Sequence, residues 1–315
     1  MLISTIIPVF NRAPVIGAAV RSALRQTHRD QEIIVVDDGS DDGTSEALEC
    51  FGDRIRVIRQ ANAGPSAARN IGAGEARGAL LAFLDSDDLW HPSKLERQAG
   101  LLERAGRRMC CCICNATLIE EGRGCIGRSF DKAGIEPRLA EGEWTNPQEI
   151  LASRFVLFNQ TMIVRRDAFH KAGGYDNRLR LLEDYELAVR LTNQGRWGFI
   201  RDPLVRKYNS PAGTGVACMN DATRHNAVCA SVITGILGSG IRLSSEARDL
   251  FEQALDDLRN RERARLLQSS ADALTRTRGR AEEFRAKTLL WMRRRSSSWP
   301  RFGEHPVGSG SLQPS

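Results

Sequence analysis

No apolar stretch in the 315 residues reaches the ~18 that a membrane-crossing helix needs, so no transmembrane segment is expected. The opening Met1-Leu2-Ile3-Ser4-Thr5-Ile6-Ile7-Pro8 lacks the basic start and small-residue cleavage site of a secretory signal. It reads as a first strand, and a cytoplasmic location is expected. Eight cysteines make no disulfide framework in a chain this long, which agrees with a reducing compartment. Four of them crowd into Cys110-Cys111-Cys112-Ile113-Cys114. Consecutive strand residues face opposite ways, so these thiols cannot all reach one tetrahedral zinc ion; the run reads as buried strand. No Gly-x-Gly-x-x-Gly follows the first strand and no Gly-x-x-x-x-Gly-Lys-Ser/Thr occurs, which excludes two common phosphate-binding loops. There is no internal repeat.

What is present suits a soluble globular protein: 41% hydrophobic and 27% charged residues, enough for one large core or two modest ones. The net charge of +6 is uneven. Residues 242–315 hold 15 Lys and Arg against 10 Asp and Glu, while the first 241 hold 30 against 29. This basic region suggests peripheral contact with an anionic surface, membrane lipid being the favoured one; a solvated helix face is the alternative. Its arginines lie among acids and no recognition motif accompanies them, so no nucleic-acid partner is expected.

Short apolar strands alternate with helical stretches through about residue 115. Ile3–Ile7, Glu32–Val36, Ile55–Arg59 and Ala79–Leu84 read as strands. Pro14–Arg25 reads as a helix carrying Val15, Ala18, Ala19, Ser22 and Ala23, and a further helix starts near Gly64. This is the pattern of an α/β layer fold, a Rossmann-like mainly parallel sheet flanked by helices. Ligands bind such sheets beyond the carboxyl ends of the strands. Polar clusters follow three of them: Pro8-Val9-Phe10-Asn11, Asp37-Asp38-Gly39-Ser40 and Asp85-Ser86-Asp87-Asp88. One pocket could gather all three. Residues 120–147 read as irregular, Gln160–Val164 as a strand and Leu181–Asn193 as a helix. Ser245–Arg295 reads as one or two long helices burying Leu250, Ala254, Leu258, Leu266 and Leu267. The Gly/Pro/Ser-rich end reads as disordered.

Acids as close as Asp85, Asp87 and Asp88 at the end of a buried strand need a cation, fixed donors or water. Asp85 and Asp87 suit Mn2+ or Mg2+, which take one or two carboxylates and complete their shells with phosphate and water. Asp88 could instead cap a helix near Pro92. Asp38 can accept from a ribose hydroxyl or a base N–H, with Gly39 permitting close backbone approach; an Asx turn is the plain alternative. Asn62–Asn70 opens a helix whose N-terminus favours an anion, and Arg69 could pair with a diphosphate or a carboxylate. Glu183-Asp184 is the best acid cluster outside the N-terminal half; Asp184 is the first candidate for a general base and Glu183 the second.

In this order and spacing, Pro8–Asn11, Val36–Ser40, Asn62–Asn70, Phe83–Asp88 and Glu183-Asp184 resemble the inverting family 2 glycosyltransferases of the GT-A fold, over roughly residues 2–210. The resemblance implies a nucleotide-sugar donor, a UDP-sugar being favoured. Pro8, Phe10, Asn11, Asp38, Gly39, Asn62, Arg69, Asp85 and Ser86 would line its site. Asp87, helped by Asp85, would bind Mn2+ or Mg2+, and Asp184 would deprotonate an acceptor hydroxyl on a surface glycan, polysaccharide or lipid-linked precursor. The implied organisation is a GT-A domain over 1–210, with a nucleotide-sugar half to about 115 and an acceptor half from 116. A helical C-terminal extension over 211–295 and a disordered tail over 296–315 would follow. Two departures stand out. Many members carry a His after the last sheet segment, but Pro203–Ser210 has none; Asn209 could substitute, or Arg206 or Lys207 could bind diphosphate instead. Asn193-Gln194-Gly195-Arg196-Trp197 only partly matches the Gln-x-x-Arg-Trp signature of polymerising members, so single addition is expected over processive synthesis. The missing His also motivates the rival reading, a non-catalytic nucleotide-sugar-binding module.

Overall fold

The computed structural model describes residues 1–154, 158–209, 221–272 and 304–305. Its organising strand is β1 (Ile3–Val9), which pairs in parallel with β2 (Gln31–Asp37) on one side and β4 (Leu80–Phe83) on the other. β3 (Arg56–Arg59) continues the parallel block beyond β2. The crossovers are α1 (Ala13–Leu24), α2 (Thr44–Glu49) and α3 (Pro65–Gly74). Strand alternation divides the core in two. Ile7, Ile33, Val35 and Leu80 enter one apolar layer, while Ile6, Ile34, Val36 and Leu81 enter the other. A strand covered on both faces needs no polar alternation, which is why these segments are continuous apolar runs.

Beyond β4 the sheet becomes mixed. The chain continues through β5 (Leu89–Trp90), α4 (Lys94–Ala105), β6 (Met109–Glu120), β7 (Gly124–Arg128), α5 (Ser129–Lys132), β8 (Glu141–Trp144) and α6 (Pro147–Ser153). Then come β9 (Met162–Arg165), α7 (Arg166–Lys171), α8 (Glu183–Leu191) and β10 (Arg196–Asn209). β9 lies antiparallel between β4 and β6, and β10 runs parallel to β6. Two reversals restore the original direction, so β10 ends on the same edge of the sheet as β1, β2 and β4. β5 pairs antiparallel with β10 and carries the segment after β4 across to it. Residues 120–147 are therefore less irregular than expected, holding β7, α5 and β8.

Helix faces differ in register from the expected ones. α1 buries Ile16, Ala19, Val20 and Ala23, whereas Val15 is exposed. Helices Ala222–Gly238 and Ser245–Asp272 bring Val232, Ile233, Ile236, Ala247, Phe251 and Leu255 into burial; Leu250, Ala254 and Leu258 flank them, half-buried. Gln148 of α6 ties this pair down, donating to Arg242 O at 2.9 Å and accepting from Ser244 N at 2.8 Å. The side chains of Leu266 and Leu267 lie outside the described residues, as do 273–303 and the expected tail, except for Glu304–His305, which pair with β8. Among the described residues no helix is long and apolar enough to cross a membrane.

The cysteine run forms β6. Cys112 and Cys114 enter one core layer, Cys110 and Cys111 the other, and burial raises the thiols of Cys111, Cys112 and Cys114. The costly feature nearby is Lys94, fully buried, with no hydrogen-bond partner for Nζ. The ammonium sits 4.1 Å over the Trp90 ring. Burial depresses its pKa from 10.5 to about 8. The unfolded chain thus binds the proton more tightly, and stability rises as pH climbs from about 8 to 10.5, with the full penalty present below 8. That penalty is on the order of 3 kcal/mol. Lys94→Met should therefore raise neutral-pH stability by about 1–3 kcal/mol and flatten the alkaline rise. Urea unfolding at pH 7.5 and pH 10 reads both effects; a less stable variant would show that the Trp90 contact outweighs burial.

Candidate active site

The strand exits converge as expected, each by a local device. Asp38 N donates to Val9 O at 2.8 Å, and Leu84 N to Ile6 O at 2.9 Å, which draws the three polar clusters together. Asn11 takes a left-handed backbone (φ 52°). Its N–H donates to Ser40 Oγ at 3.0 Å, and its side chain exchanges two hydrogen bonds with Asp41. Pro8 is buried inside β1 and Phe10 exposes 44% of its surface at the edge. Asp42 accepts from Thr44 N at 3.1 Å, satisfying the start of α2.

Asp38 is buried and already engaged. Its carboxylate accepts from Gln60 Nε2 at 2.6 Å, Ala63 N at 2.8 Å and Gly64 N at 2.8 Å. It therefore shapes the 60–64 turn, which presents exposed Asn62 and opens α3. Gly39 is required there: at φ 84° a Cβ would stand 3.0 Å from Asn62 N.

Arg69 joins the two acid clusters. Nη2 donates to Asp85 Oδ1 at 2.7 Å and Nη1 to Glu183 Oε1 at 2.8 Å, with the guanidinium 5.4 Å from the Tyr175 ring centroid. The residue is 4% exposed. Of the two partners open to it, Arg69 takes carboxylates here, and so bridges the 85–88 turn to α8. Asn159, with its amide turned to suit its neighbours, donates to Tyr175 Oη at 2.7 Å and accepts from Arg69 at 3.1 Å.

The acids now separate by partner. Glu183 is spent on Arg69. Asp184 receives the adjacent Tyr185 N–H at 2.8 Å, and burial together with Glu183 pushes its carboxyl up to about 7. Leu182, just before them, is held in a left-handed conformation (φ 60°), the kind of strain that collects at functional sites. Asp88 is fully buried, accepts from Gln160 Nε2 and from Tyr208 N at 2.7 Å, and lies 3.8 Å from Lys207 Nζ. It does not cap a helix near Pro92: it pins the end of β10 to the turn, and α4 begins at Lys94 instead. Ser86 is buried at the centre of that turn. Asp87 has its own backbone N–H as its hydrogen-bond donor among the described residues, and burial, then Asp85, raises its pKa.

A half-buried, under-engaged carboxylate beside Asp85 fits a divalent cation of the Mg2+ or Mn2+ type, which needs only one or two protein carboxylates when phosphate supplies the rest. No group of three or more His, Cys, Asp or Glu that could hold a metal occurs among the described residues. Sequence reasoning missed Asn159, Gln160, Tyr175 and Leu182. The polar run Asn159-Gln160-Thr161 leading into a buried strand was the available signal for the first two. The Asn193–Trp197 likeness lies at the opposite end of β10, where Arg196 pairs with Glu143 at 3.0 Å.

Comparison with known proteins adds four findings. Residues 4–169 match the family model of glycosyl transferase family 2. An uncharacterized glycosyltransferase of Rickettsia typhi is 28% identical over 232 residues, 72% of this chain and 70% of its own. Among solved structures, residues 1–349 of S. aureus TarS, in complex with UDP-GlcNAc, superimpose with a TM-score of 0.63 at 20% identity, covering 83% of this chain and 72% of that one. The mannosyltransferase PcManGT of Pyrobaculum calidifontis, in complex with GDP-Man and Mn2+, gives 0.59 at 16% identity over 91% and 79%. At these identities the structural likeness speaks for the fold.

Proposed function

The chain belongs to glycosyltransferase family 2 and has a GT-A fold, and from that premise we propose that it moves a sugar from a nucleotide-sugar donor to an acceptor hydroxyl with inversion at the anomeric carbon. The observation that carries this reading is the Asp85–Arg69–Glu183 bridge. It holds the turn bearing Asp87 against the start of α8 bearing Asp184, so a leaving-group site and a base share one edge of the sheet.

Pro8, Phe10, Asn11, Gly39 and Asn62 border the nucleoside end. Asp38 keeps one carboxylate lone-pair position beyond its three internal donors, by the usual count of four. A UDP-sugar is the favoured donor, TarS having been solved with UDP-GlcNAc. Asp87, with Asp85 beside it, would hold Mn2+ or Mg2+. When bound, such an ion offsets charge on a departing diphosphate. Asp184 takes the acceptor hydroxyl proton as that oxygen attacks the anomeric carbon. The new carbon–oxygen bond forms on the face opposite the breaking bond to phosphate, and the electron pair leaves with the nucleoside diphosphate. An α-linked donor then yields a β-linked product. A carboxyl with a pKa near 7 suits this step, being about half ionised at neutral pH and basic enough to accept the proton. The acceptor half, 116–210, and the C-terminal helices packed on α6 would face a surface glycan or lipid-linked acceptor. Peripheral membrane contact through the basic region and a cytoplasmic location belong to the same proposal.

A thermal-shift panel of UDP, GDP, dTDP and CMP, each with and without Mn2+, tests it. One diphosphate should stabilise the protein in a Mn2+-dependent way and identify the base. No shift with any nucleotide, from folded protein, would sink the donor site. Binding without sugar transfer to any acceptor would favour the non-catalytic module.

A further inference from the structure

β10 brings a cation to the acid cluster. Along its last residues Val205, Lys207 and Asn209 share one face, and Arg206 and Tyr208 the other. Val205 is buried in the core, and Arg206 is exposed on the far side. Lys207 reaches into the cluster with its side chain only 21% exposed. Its Nζ stands 3.8 Å from Asp88 Oδ2 and 5.2 Å from the Phe158 ring centroid. That separation exceeds a hydrogen bond. Asp88 already accepts from Gln160 Nε2 and Tyr208 N, so Lys207 is not needed to satisfy it. Asp85, Asp87 and Asp184 also lie within electrostatic reach of the ammonium. Of the other cations near the cluster, Arg69 has both Nη atoms committed to carboxylates, and Arg12, whose charge also reaches Asp87, lies exposed and donates from Nη1 to Asn11 O.

We propose that Lys207 is a ligand of the donor's diphosphate, bringing protein-borne positive charge into a cluster of carboxylates. The inference rests on the donor site proposed above and settles which of Arg206, Lys207 and Asn209 takes the part: Arg206 points away and Asn209 carries no charge. A diphosphate entering beside Asp87 meets several carboxylates, so a nearby, largely buried ammonium with unused N–H donors is a group able to receive it.

Isothermal titration of UDP, UMP and uridine, in EDTA and in Mn2+, tests it, with GDP and guanosine as the second set. Lys207→Met should weaken UDP binding about tenfold or more in EDTA, the loss expected for one charge-assisted hydrogen bond. Uridine binding should be unchanged, UMP should lie between, and Lys207→Arg should recover most of the loss. Because Lys207→Met leaves Asp88 buried without its cation, the double variant Lys207→Met/Asp88→Asn is run beside it and should show the same diphosphate-selective loss. Equal weakening of UDP and uridine, or none, in a wild type that binds UDP overturns the Lys207 role and leaves the donor site standing. A wild type that binds none of the probes overturns both.

Discussion

Asp184→Asn should cut turnover by about 10²–10⁴-fold, the usual contribution of a positioned general base, while nucleotide-diphosphate affinity stays within about twofold of wild type. The substitution keeps shape and removes only the basic oxygen. A structural role predicts a different pattern. Burial and Glu183 hold the folded pKa near 7, above the 3.8 of an unfolded aspartate, so the fold disfavours the ionised form. A raised carboxyl pKa means stability is lost as pH rises from about 4 to 7 and stays lost above. Replacing Asp184 by Asn removes that cost, so Tm at pH 8 should hold or rise even as activity disappears. In the wild type, kcat should climb with pH and level off above about 7, and residual activity of the variant should lack that limb. Steady-state rates from pH 5.5 to 9, with melting curves alongside, measure both. Near wild-type turnover, or inactivity accompanied by a large fall in Tm, would remove Asp184 from the base role.

The features legible in the sequence were local ones. Each polar cluster follows its strand directly, so the apolar runs Ile3–Ile7, Glu32–Val36 and Ala79–Leu84 announced both a strand and the edge where its polar exit would lie. Parallel order then brought those exits together without knowledge of any contact. What stayed hidden depends on partners far along the chain. Arg69 and Glu183 lie 114 residues apart, and Asp88 and Tyr208 are separated by 120. Nothing in a local pattern separates an Asp that caps a helix from one that pins a distant strand. Hence Asp88 read as a cap, Arg69 read equally as a phosphate or carboxylate partner, and Asp38 showed no sign of its hold on the 60–64 turn. The mixed half of the sheet was hidden for the same reason, since β9 enters between β4 and β6 only through long-range pairing. Helix faces slipped by a residue because small apolar residues such as Ala18 and Ala19 fit a buried or an exposed face almost equally.

Asp87→Asn should abolish the Mn2+-dependent part of diphosphate binding and lower turnover by about 10²–10³-fold, as expected when several kcal/mol of leaving-group stabilisation are lost. Three neighbours explain why the loss should concentrate at this residue. Asp85 gives an oxygen to Arg69, Asp88 accepts from Gln160 and Tyr208, and Glu183 belongs to the Arg69 bridge. Asp87 is the acid of the turn that the fold leaves under-engaged, with burial and Asp85 already straining its ionised form. A group so placed costs stability until a cation arrives, so its amide should leave Tm equal or higher without ligand and remove the extra stabilisation by UDP with Mn2+. Uridine binding, which needs no phosphate contact, should be untouched. The decisive comparison is the Mn2+ titration of UDP-induced melting shifts in wild type, Asp87→Asn and Asp85→Asn. A steep Mn2+ response lost at Asp87 and only blunted at Asp85 assigns the ion to Asp87. A full response retained in Asp87→Asn would move the cation elsewhere and leave Lys207 as the principal charge facing the diphosphate.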